Sequence, residues 1–225
     1  MPASTVFLST LPDADRIALA DQWTVRRFER GEMIIAHDEA GRDVFFVLEG
    51  RARATIFSER GRAVTYRDIE TGDIFGELAA IDGKPRSASV VALEAVRVAR
   101  LSEAAFRTIV TARPTVAWAL LQYFSRQMRR MTERLYEFNT LVVRKRLIRE
   151  LLRIAGNTGG AEGQASIVPA PTHFELAAKI GTHREAVSRE MSALAKRGLI
   201  TRSGGGLLLH DMETLKALAN AREER

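Results

Sequence analysis

A turn followed by an amphipathic helix is indicated by the stretch Lys179-Ile-Gly-Thr-His-Arg-Glu-Ala-Val-Ser-Arg189. Two segments have the spacing of a capping box, Thr172-x-x-Glu175 and Thr182-x-x-Glu185. In such a box the threonine oxygen accepts a free backbone N–H, and the glutamate reaches back to the cap. Because two helix starts separated by Gly181 are typical of a helix-turn-helix, the sequence predicts that motif here.

The second predicted helix has two faces. At about 3.6 residues per turn, Val187, Met191 and Leu194 fall on one stripe and are predicted to be core. The other face collects the polar side chains of Arg184, Glu185, Ser188, Arg189 and Ser192. Such a face suits either a helix that reads DNA bases or an ordinary solvated helix, and the helix alone does not separate the two.

The distribution of charge favours nucleic acid. Residues 138–225 carry 14 Lys and Arg against 9 Asp and Glu, a net charge of +5, whereas the whole chain is +6. The predicted helix-turn-helix therefore lies in the basic part of the chain, as a surface that contacts phosphates requires.

The composition excludes several classes of protein. Hydrophobic residues make up 46% of the chain and charged residues 28%, which is ordinary for a folded soluble protein. No apolar run approaches the roughly 20 residues of a membrane span, and residues 1–30 are too charged for a signal peptide, so we expect a cytoplasmic protein without a membrane partner. With no cysteine, disulfides, thiolate zinc sites and cysteine-held iron–sulfur clusters are excluded.

The N-terminal half has the texture of a β domain. After a short helix predicted over residues 13–22, short β-rich runs recur between glycines spaced about ten residues apart. These runs are Met33–Ile35, Val44–Leu48, Ala52–Phe57, Ala63–Tyr66, Ser89–Val91 and Val96–Leu101. The pattern predicts a compact antiparallel sandwich or barrel.

A long helix is predicted from Thr115 to Asn139. Its apolar residues are spaced 3-4-3-4-3, at Leu121, Phe124, Met128, Met131, Leu135 and Phe138. This spacing is that of a coiled-coil seam, so two identical chains would form a parallel homodimer. The alternative is a helix that packs onto the protein's own β domain.

The C-terminal part continues with a helix predicted over Leu141–Ile154 and a glycine-rich surface loop, Gly156–Gly163. Beyond the helix-turn-helix, Leu199–Thr201 and Leu207–His210 flank Ser203-Gly-Gly-Gly206. Two short strands around a glycine turn form a hairpin, so the predicted DNA-binding unit is winged.

A second motif runs from Phe75-Gly-Glu-Leu-Ala to Pro85-Arg-Ser-Ala88. Gly76 allows close approach of the backbone, successive N–H groups of such a turn form an anion nest, and Arg86 adds a two-pronged donor for phosphate. Glu77 suits a sugar hydroxyl better than a phosphate. The motif therefore predicts a site for a phosphorylated ribose, and the alternative is an Arg86–Glu77 surface ion pair over a structural turn.

This motif closely resembles the phosphate-binding cassette of cyclic-nucleotide-binding domains. The order of the parts resembles the CRP/FNR transcription regulators, closest to their cyclic AMP receptor branch, over about residues 5–210. The resemblance implies an α+β fold with an N-terminal antiparallel β-roll that binds cyclic nucleotide (1–112), a long dimerisation helix (113–140) and a C-terminal winged helix-turn-helix (141–225).

The resemblance also implies roles for individual residues. Glu77 would bind the ribose hydroxyl, Arg86 with the amides of Ser87 and Ala88 the cyclic phosphate, and Gly76 and Leu78 would form the loop backbone. Arg184, Glu185 and Arg189 would read bases of a TGTGA-like palindrome, because Arg suits guanine and Glu accepts from cytosine. The expected phosphate contacts are Thr182, His183 and Ser188.

The identity of the ligand's base depends on the long helix. The family places adjacent Thr and Ser against adenine, and alignment on Arg146-Leu-Ile148 puts Met131 and Thr132 there, or Thr132 first after a slip of one residue. Methionine cannot supply the hydrogen bond that distinguishes adenine, so this helix leaves the base open. The resemblance implies cyclic AMP, and cyclic GMP is the alternative.

The expected function is a homodimeric transcription regulator controlled by cyclic nucleotide, with double-stranded DNA as partner. The region matching Gly156–Gly163 can contact RNA polymerase in the family. Two alternatives remain: a regulator of the same fold that needs no ligand or senses another one, and a nucleotide-binding module that controls a protein partner. No residue set in the sequence suggests catalysis, a resident cofactor or a metal site.

Overall fold

The computed structural model describes residues 6–57, 63–156 and 163–221. The chain divides between Arg130 and Met131 into two compact units, each described by itself below. Within the described residues, none of the helices is both long enough and apolar enough to cross a bilayer.

The N-terminal unit is built on two antiparallel four-stranded sheets. One has the order β1-β8-β3-β6 and the other β2-β7-β4-β5. The strands are β1 Thr24–Phe28, β2 Met33–Ile35, β3 Val44–Glu49, β4 Ala52–Phe57, β5 Ala63–Ile69, β6 Ile74–Phe75, β7 Ser89–Ala92 and β8 Val96–Leu101. The predicted antiparallel β domain is confirmed.

Helices flank these sheets. They are α1 Asp13–Ala20, α2 Glu77–Asp82 and α3 Glu103–Ala112, and the long helix α4 Pro114–Thr140 follows. One core packs Phe7, Phe46 and Tyr123 together, with Phe7 stacked on Phe46 at 6.1 Å and meeting Tyr123 edge-on at 6.0 Å. A second core lies between the sheets, where Phe45 stacks on Phe75 at 5.1 Å.

Strand β1 was not predicted. Thr24-Val-Arg-Arg-Phe28 has no apolar alternation, and its first four residues are exposed because β1 is the edge strand of its sheet. The backbone pairing of β1 with β8 holds it in place, and backbone pairing leaves no signature in the side-chain pattern.

The C-terminal unit is a winged helix-turn-helix. Its elements are α5 Val143–Ala155, β9 Ala165–Ile167, α6 His173–Ile180, α7 Arg184–Lys196, β10 Ile200–Ser203, β11 Gly206–Leu209 and α8 Met212–Asn220. The predicted hairpin is β10–β11, and β9, which was not predicted, extends it to three strands. Val187, Met191 and Leu194 are buried in its core, as predicted. Most of the predicted loop Gly156–Gly163 lies outside the described residues.

The two capping boxes have different outcomes. At Thr172 the box is formed: Glu175 N donates to Thr172 Oγ1 at 3.1 Å, and Thr172 N donates to Glu175 Oε2 at 2.8 Å. The box at Thr182 is wrong, because α7 begins one residue later, with His183 as its N-cap. The N–H of Thr182 instead donates to Ala177 O at 3.0 Å and closes the end of α6, where Gly181 adopts φ +65°.

Because only the Thr172 box is formed, substitutions at Thr172 and Thr182 are predicted to affect stability unequally. We expect Thr172→Ala to lower the free energy of unfolding by about 1 kcal/mol, since it removes a formed cap. The matched variant Thr182→Ala should change it by less than about 0.5 kcal/mol. Urea unfolding of the full chain, followed by circular dichroism, measures both, and equal losses would contradict the assignment of the helix start.

Ion pairs join the last turns of α4 to the helix-turn-helix within the C-terminal unit. Glu137 and Glu150 are both buried. Glu137 pairs with Arg153 at 3.1 Å and with Arg149 at 3.5 Å. Glu150 pairs with Arg134 at 3.7 Å, with Lys179 at 3.6 Å and also with Arg153. Buried carboxylates require such compensation, so residues 131–140 of α4 form part of the C-terminal unit's structure.

Candidate functional site

A cavity in the N-terminal unit collects the residues of the cassette. Its walls are apolar, with Ile35, Ala54, Phe75 and Val90 among them. The polar and backbone part comes from β5, from the first turn of α2 and from the segments that flank α2: Arg67, Gly76, Glu77, Leu78, Arg86, Ser87 and Ala88. The cavity thus brings together all six predicted ligand residues of the cassette.

Gly76 is required by the geometry of this loop. It adopts φ +79° at the start of α2, a left-handed conformation that suits glycine. A Cβ atom added there would lie 2.8 Å from Arg86 Nη1 and 2.9 Å from Asp43 O. The absence of a side chain therefore lets Arg86 pack directly against the loop.

Arg86 is buried and held by backbone. Its Nη1 donates to Gly76 O and its Nη2 to Asp43 O, each at 2.8 Å, and the guanidinium lies 5.9 Å from the centre of the Phe45 ring. Its Nε is buried without a hydrogen-bond partner among the described residues. Burial lowers the pKa of Arg86. An arginine has a pKa far above neutrality, so the side chain stays charged and presents a fixed cation to the cavity.

Glu77 is buried at the first position of α2. Burial raises its pKa, and the charges of Arg67 and Arg86 oppose that rise. Because both Glu77 and Arg86 are buried, the alternative of a surface ion pair is wrong. The pair instead combines a cation suited to phosphate with an acceptor suited to a hydroxyl.

Sequence reasoning missed Arg67. Its Nη2 donates to Ile74 O, its Nη1 lies 3.5 Å from Asp73, and its guanidinium lies 5.7 Å from the centre of the Tyr123 ring. Period-2 alternation along β5 was the available signal, because it places Arg67 on the same face as the buried Ile69.

Met131 and Thr132 are exposed on α4. They belong to the other compact unit, so their part in ligand binding stays a prediction.

The recognition face of α7 has the predicted polar surface. Arg184, Glu185, Arg189 and Ser192 are exposed, and so is His183 at the N-cap. Ser188 is half-buried, and its hydroxyl lies 2.7 Å from His173 Nδ1. The helix thus presents two guanidinium groups and a carboxylate, which are the groups that read guanine and cytosine edges in a major groove.

Two further residues, His173 and Arg202, adjoin this face and were not predicted. The pKa of His173 is lowered by burial and by the positive charges of Arg202 and Arg184, so its ring is neutral near pH 7. Arg202 lies on the wing strand β10, and its Nη2 donates to Pro171 O at 2.9 Å. Arg202 therefore adds a positive charge near the start of α6.

The predicted seam of α4 is largely uncovered in the single chain. Leu121, Met128, Met131 and Leu135 are each more than half exposed, at 57%, 68%, 51% and 63%. Phe124 differs, because it packs edge-on against Tyr123 at 5.5 Å. Phe138 also differs: the Arg146 guanidinium lies 5.7 Å from the centre of its ring.

Comparison with known proteins follows the same division. Residues 25–113 match the cyclic nucleotide-binding domain family, and residues 145–218 match the Crp-like helix-turn-helix domain. The chain is 30% identical to the CRP-like cAMP-activated global transcriptional regulator of Mycobacterium tuberculosis over 199 residues, covering 88% of this chain and 89% of that protein. The chain belongs to the CRP/FNR family of transcription regulators. It is a regulator rather than an enzyme.

Two further relatives of this CRP/FNR regulator are informative. A crystal structure of a CRP/FNR-family transcriptional regulator from Thermus thermophilus has 29% identity and a TM-score of 0.74, covering 89% of this chain and all of that one. Over 104 residues the chain is 40% identical to the cAMP-dependent protein kinase regulatory subunit of Aspergillus fumigatus, covering 46% of this chain and 24% of that protein.

Within the described residues, no cluster of three or more acidic or histidine side chains could hold a metal.

Proposed function

We propose that this regulator is a homodimer that binds a TGTGA-like palindrome under the control of a cyclic nucleotide, with cyclic AMP as effector. The observation that carries the proposal is the cavity that buried Arg86 and buried Glu77 line together with Gly76. In our proposal the domains are 1–112 for nucleotide, 113–140 for dimerisation and 141–225 for DNA.

Each polar group of the cavity has a role in the proposal. Arg86 and the amides of Ser87 and Ala88 hold the cyclic phosphate, since charge-assisted bonds from a fixed guanidinium are the strongest available to an anion. Glu77 accepts a ribose hydroxyl, and the backbone of Gly76 and Leu78 shapes the loop. Met131 and Thr132 meet the base.

Cyclic AMP is favoured over cyclic GMP by the relatives. The mycobacterial regulator is named as cAMP-activated, and the kinase regulatory subunit that is 40% identical over 104 residues is named as cAMP-dependent. Met131 cannot donate a hydrogen bond, but the hydroxyl of Thr132 can accept one from the adenine amino group.

The proposed DNA contacts lie at the start of α7. Arg184 and Arg189 bind guanine O6 and N7, and Glu185 accepts from cytosine N4. Thr182, His183 and Ser188 contact phosphates. RNA polymerase remains a proposed partner through the loop Gly156–Gly163.

The proposed switch is a change in the pairing of two α4 seams. Bound nucleotide extends or re-registers the coiled coil and brings the two recognition helices about 34–36 Å apart, one turn of DNA. Nucleotide can shift this equilibrium only by its differential affinity for the two states.

Calorimetric titration with cyclic AMP and, separately, with cyclic GMP tests the ligand. Tight binding of cyclic AMP and weaker binding of cyclic GMP is the expected result. The reverse order would reassign the base, and binding of neither would remove the nucleotide from the proposal while leaving the DNA-binding unit in place.

Substitution on the seam tests the dimer. We expect Leu135→Asp to raise the dimer dissociation constant at least about tenfold, because a charge would be buried against its copy. The control Ile17→Asp alters an equally exposed apolar residue on α1 and should leave the constant unchanged. Sedimentation equilibrium measures both, and a dimer unaffected by Leu135→Asp would contradict the proposed seam.

A further inference from the structure

We infer that Arg67 is a positioning residue with two effects. It holds Glu77 as the carboxylate that accepts the sugar hydroxyl, and through Tyr123 it couples ligand binding in the cavity to helix α4. This inference rests on the proposed function and deepens it. It names a second arginine in the nucleotide site and a physical link from that site to the dimer seam.

The first support is the charge balance around Glu77. A buried carboxylate remains ionised only when a nearby cation compensates for lost hydration. Of the two cations whose charges act on Glu77, Arg67 has the larger effect. Arg86 already donates to the carbonyls of Gly76 and Asp43 and is assigned to the ligand phosphate. Arg67 lines the same cavity as Glu77 and is the second cation available to this carboxylate.

The second support is the way Arg67 is fixed. Its Nη2 donates to Ile74 O, and Tyr123 Oη donates to the same carbonyl at 3.3 Å. The guanidinium also lies over the Tyr123 ring, 5.7 Å from its centre. Ile74 is two residues before Gly76, so one carbonyl next to the ligand loop joins Arg67 to the long helix.

The third support is the position of Tyr123 on α4. Tyr123 is buried, and its ring meets Phe124, a residue of the predicted seam, edge-on at 5.5 Å. A continuous path thus runs from the cavity that Glu77 and Arg67 both line, through Arg67 and Tyr123, to Phe124, and all four residues lie in the N-terminal unit.

The side chain of Arg67 therefore has two roles that substitutions can separate. The positive charge of Arg67 supports nucleotide affinity through Glu77. Its planar guanidinium lies over the Tyr123 ring and donates a hydrogen bond to Ile74 O, and these contacts support the coupling to α4, because lysine has neither the plane nor the fork of donors. Substitutions that keep the charge and remove the plane therefore separate affinity from coupling.

The test measures two quantities in the full-length protein. One is the dissociation constant for cyclic AMP by calorimetry. The other is the coupling ratio, defined as the DNA dissociation constant without cyclic AMP divided by that at saturation. The control is Arg53→Lys: Arg53 lies on the neighbouring strand β4, pairs with Asp68 at 2.6 Å and has a side chain as buried as that of Arg67, 15% against 14% exposed.

Arg67→Lys should leave the dissociation constant for cyclic AMP within about threefold of the parent's and reduce the coupling ratio at least about fivefold. Arg67→Met should raise that constant at least about tenfold, because it leaves Glu77 without its main counter-charge. Arg53→Lys should change neither quantity.

A parent-like coupling ratio in Arg67→Lys would overturn the inference, as would parent-like affinity in Arg67→Met. In either case cyclic AMP binding by the parent would leave the proposed function standing. A parent protein that binds no cyclic nucleotide would overturn the inference and the proposed nucleotide effector together. Arg67→Lys conserves charge and bulk, so it keeps the test decisive if Arg67→Met does not fold.

Discussion

Replacing Arg86 with leucine is expected to raise the dissociation constant for cyclic AMP at least about 100-fold, or about 2.7 kcal/mol. The variant removes the charged donor to the cyclic phosphate, and charge-assisted bonds are about twice as strong as neutral ones. It also leaves the buried carbonyls of Gly76 and Asp43 without the bonds that Arg86 donates, which loosens the loop.

Two variants control for this change. Arg42→Leu removes an exposed arginine that donates to Gly83 O at 2.9 Å at the other end of α2, and it should leave affinity near that of the parent. Arg86→Lys keeps a charge without the fork and should bind with intermediate affinity. Sedimentation should show an intact dimer in each variant. Parent-like affinity in Arg86→Leu would refute the assignment of the cavity to a cyclic phosphate.

Replacing Arg184 with alanine is expected to weaken binding to the specific DNA site by about 1–3 kcal/mol and to relax discrimination at one base pair. The side chain is exposed on the first turn of α7, where a recognition helix meets base edges. Fluorescence anisotropy with the palindrome, with single-base variants of it and with unrelated DNA measures both effects.

The control for Arg184 lies on the same helix. Arg197 is exposed at the opposite, C-terminal end of α7, so Arg197→Ala should preserve discrimination at that base pair. If Arg184→Ala instead weakened binding equally on all sequences, Arg184 would be a phosphate contact, and the salt dependence of binding would fall with it.

Local signals predicted much of the fold and six of the fourteen residues that line the cavity. The capping box at Thr172 formed because both of its bonds lie within four residues of chain. The identical spacing at Thr182 did not form a box, because the preceding helix ended in a left-handed Gly181 and used the N–H of Thr182. That competition depends on where α6 ends, which the spacing alone does not encode.

The residues that were missed take their positions from tertiary packing. Arg67 lines the cavity with Glu77 and lies over the ring of Tyr123 because β5 packs against α4, and its charge alone predicts a surface residue. His173 and Arg202 likewise adjoin the recognition face through the packing of α6 and β10. Arg86, by contrast, was predicted because its partner Gly76 lies in the same continuous motif.

The most direct test is to titrate a labelled TGTGA-like palindrome with the protein, with and without saturating cyclic AMP. This single measurement depends on both the nucleotide-binding half and the DNA-binding half of the molecule. The account predicts an increase in affinity of about tenfold or more with cyclic AMP, a smaller effect of cyclic GMP, and binding that weakens steeply with salt. Equal affinity with and without either nucleotide would contradict nucleotide control and favour a regulator of the same fold that needs no ligand. Absence of any salt-dependent DNA binding would contradict the proposed DNA contacts.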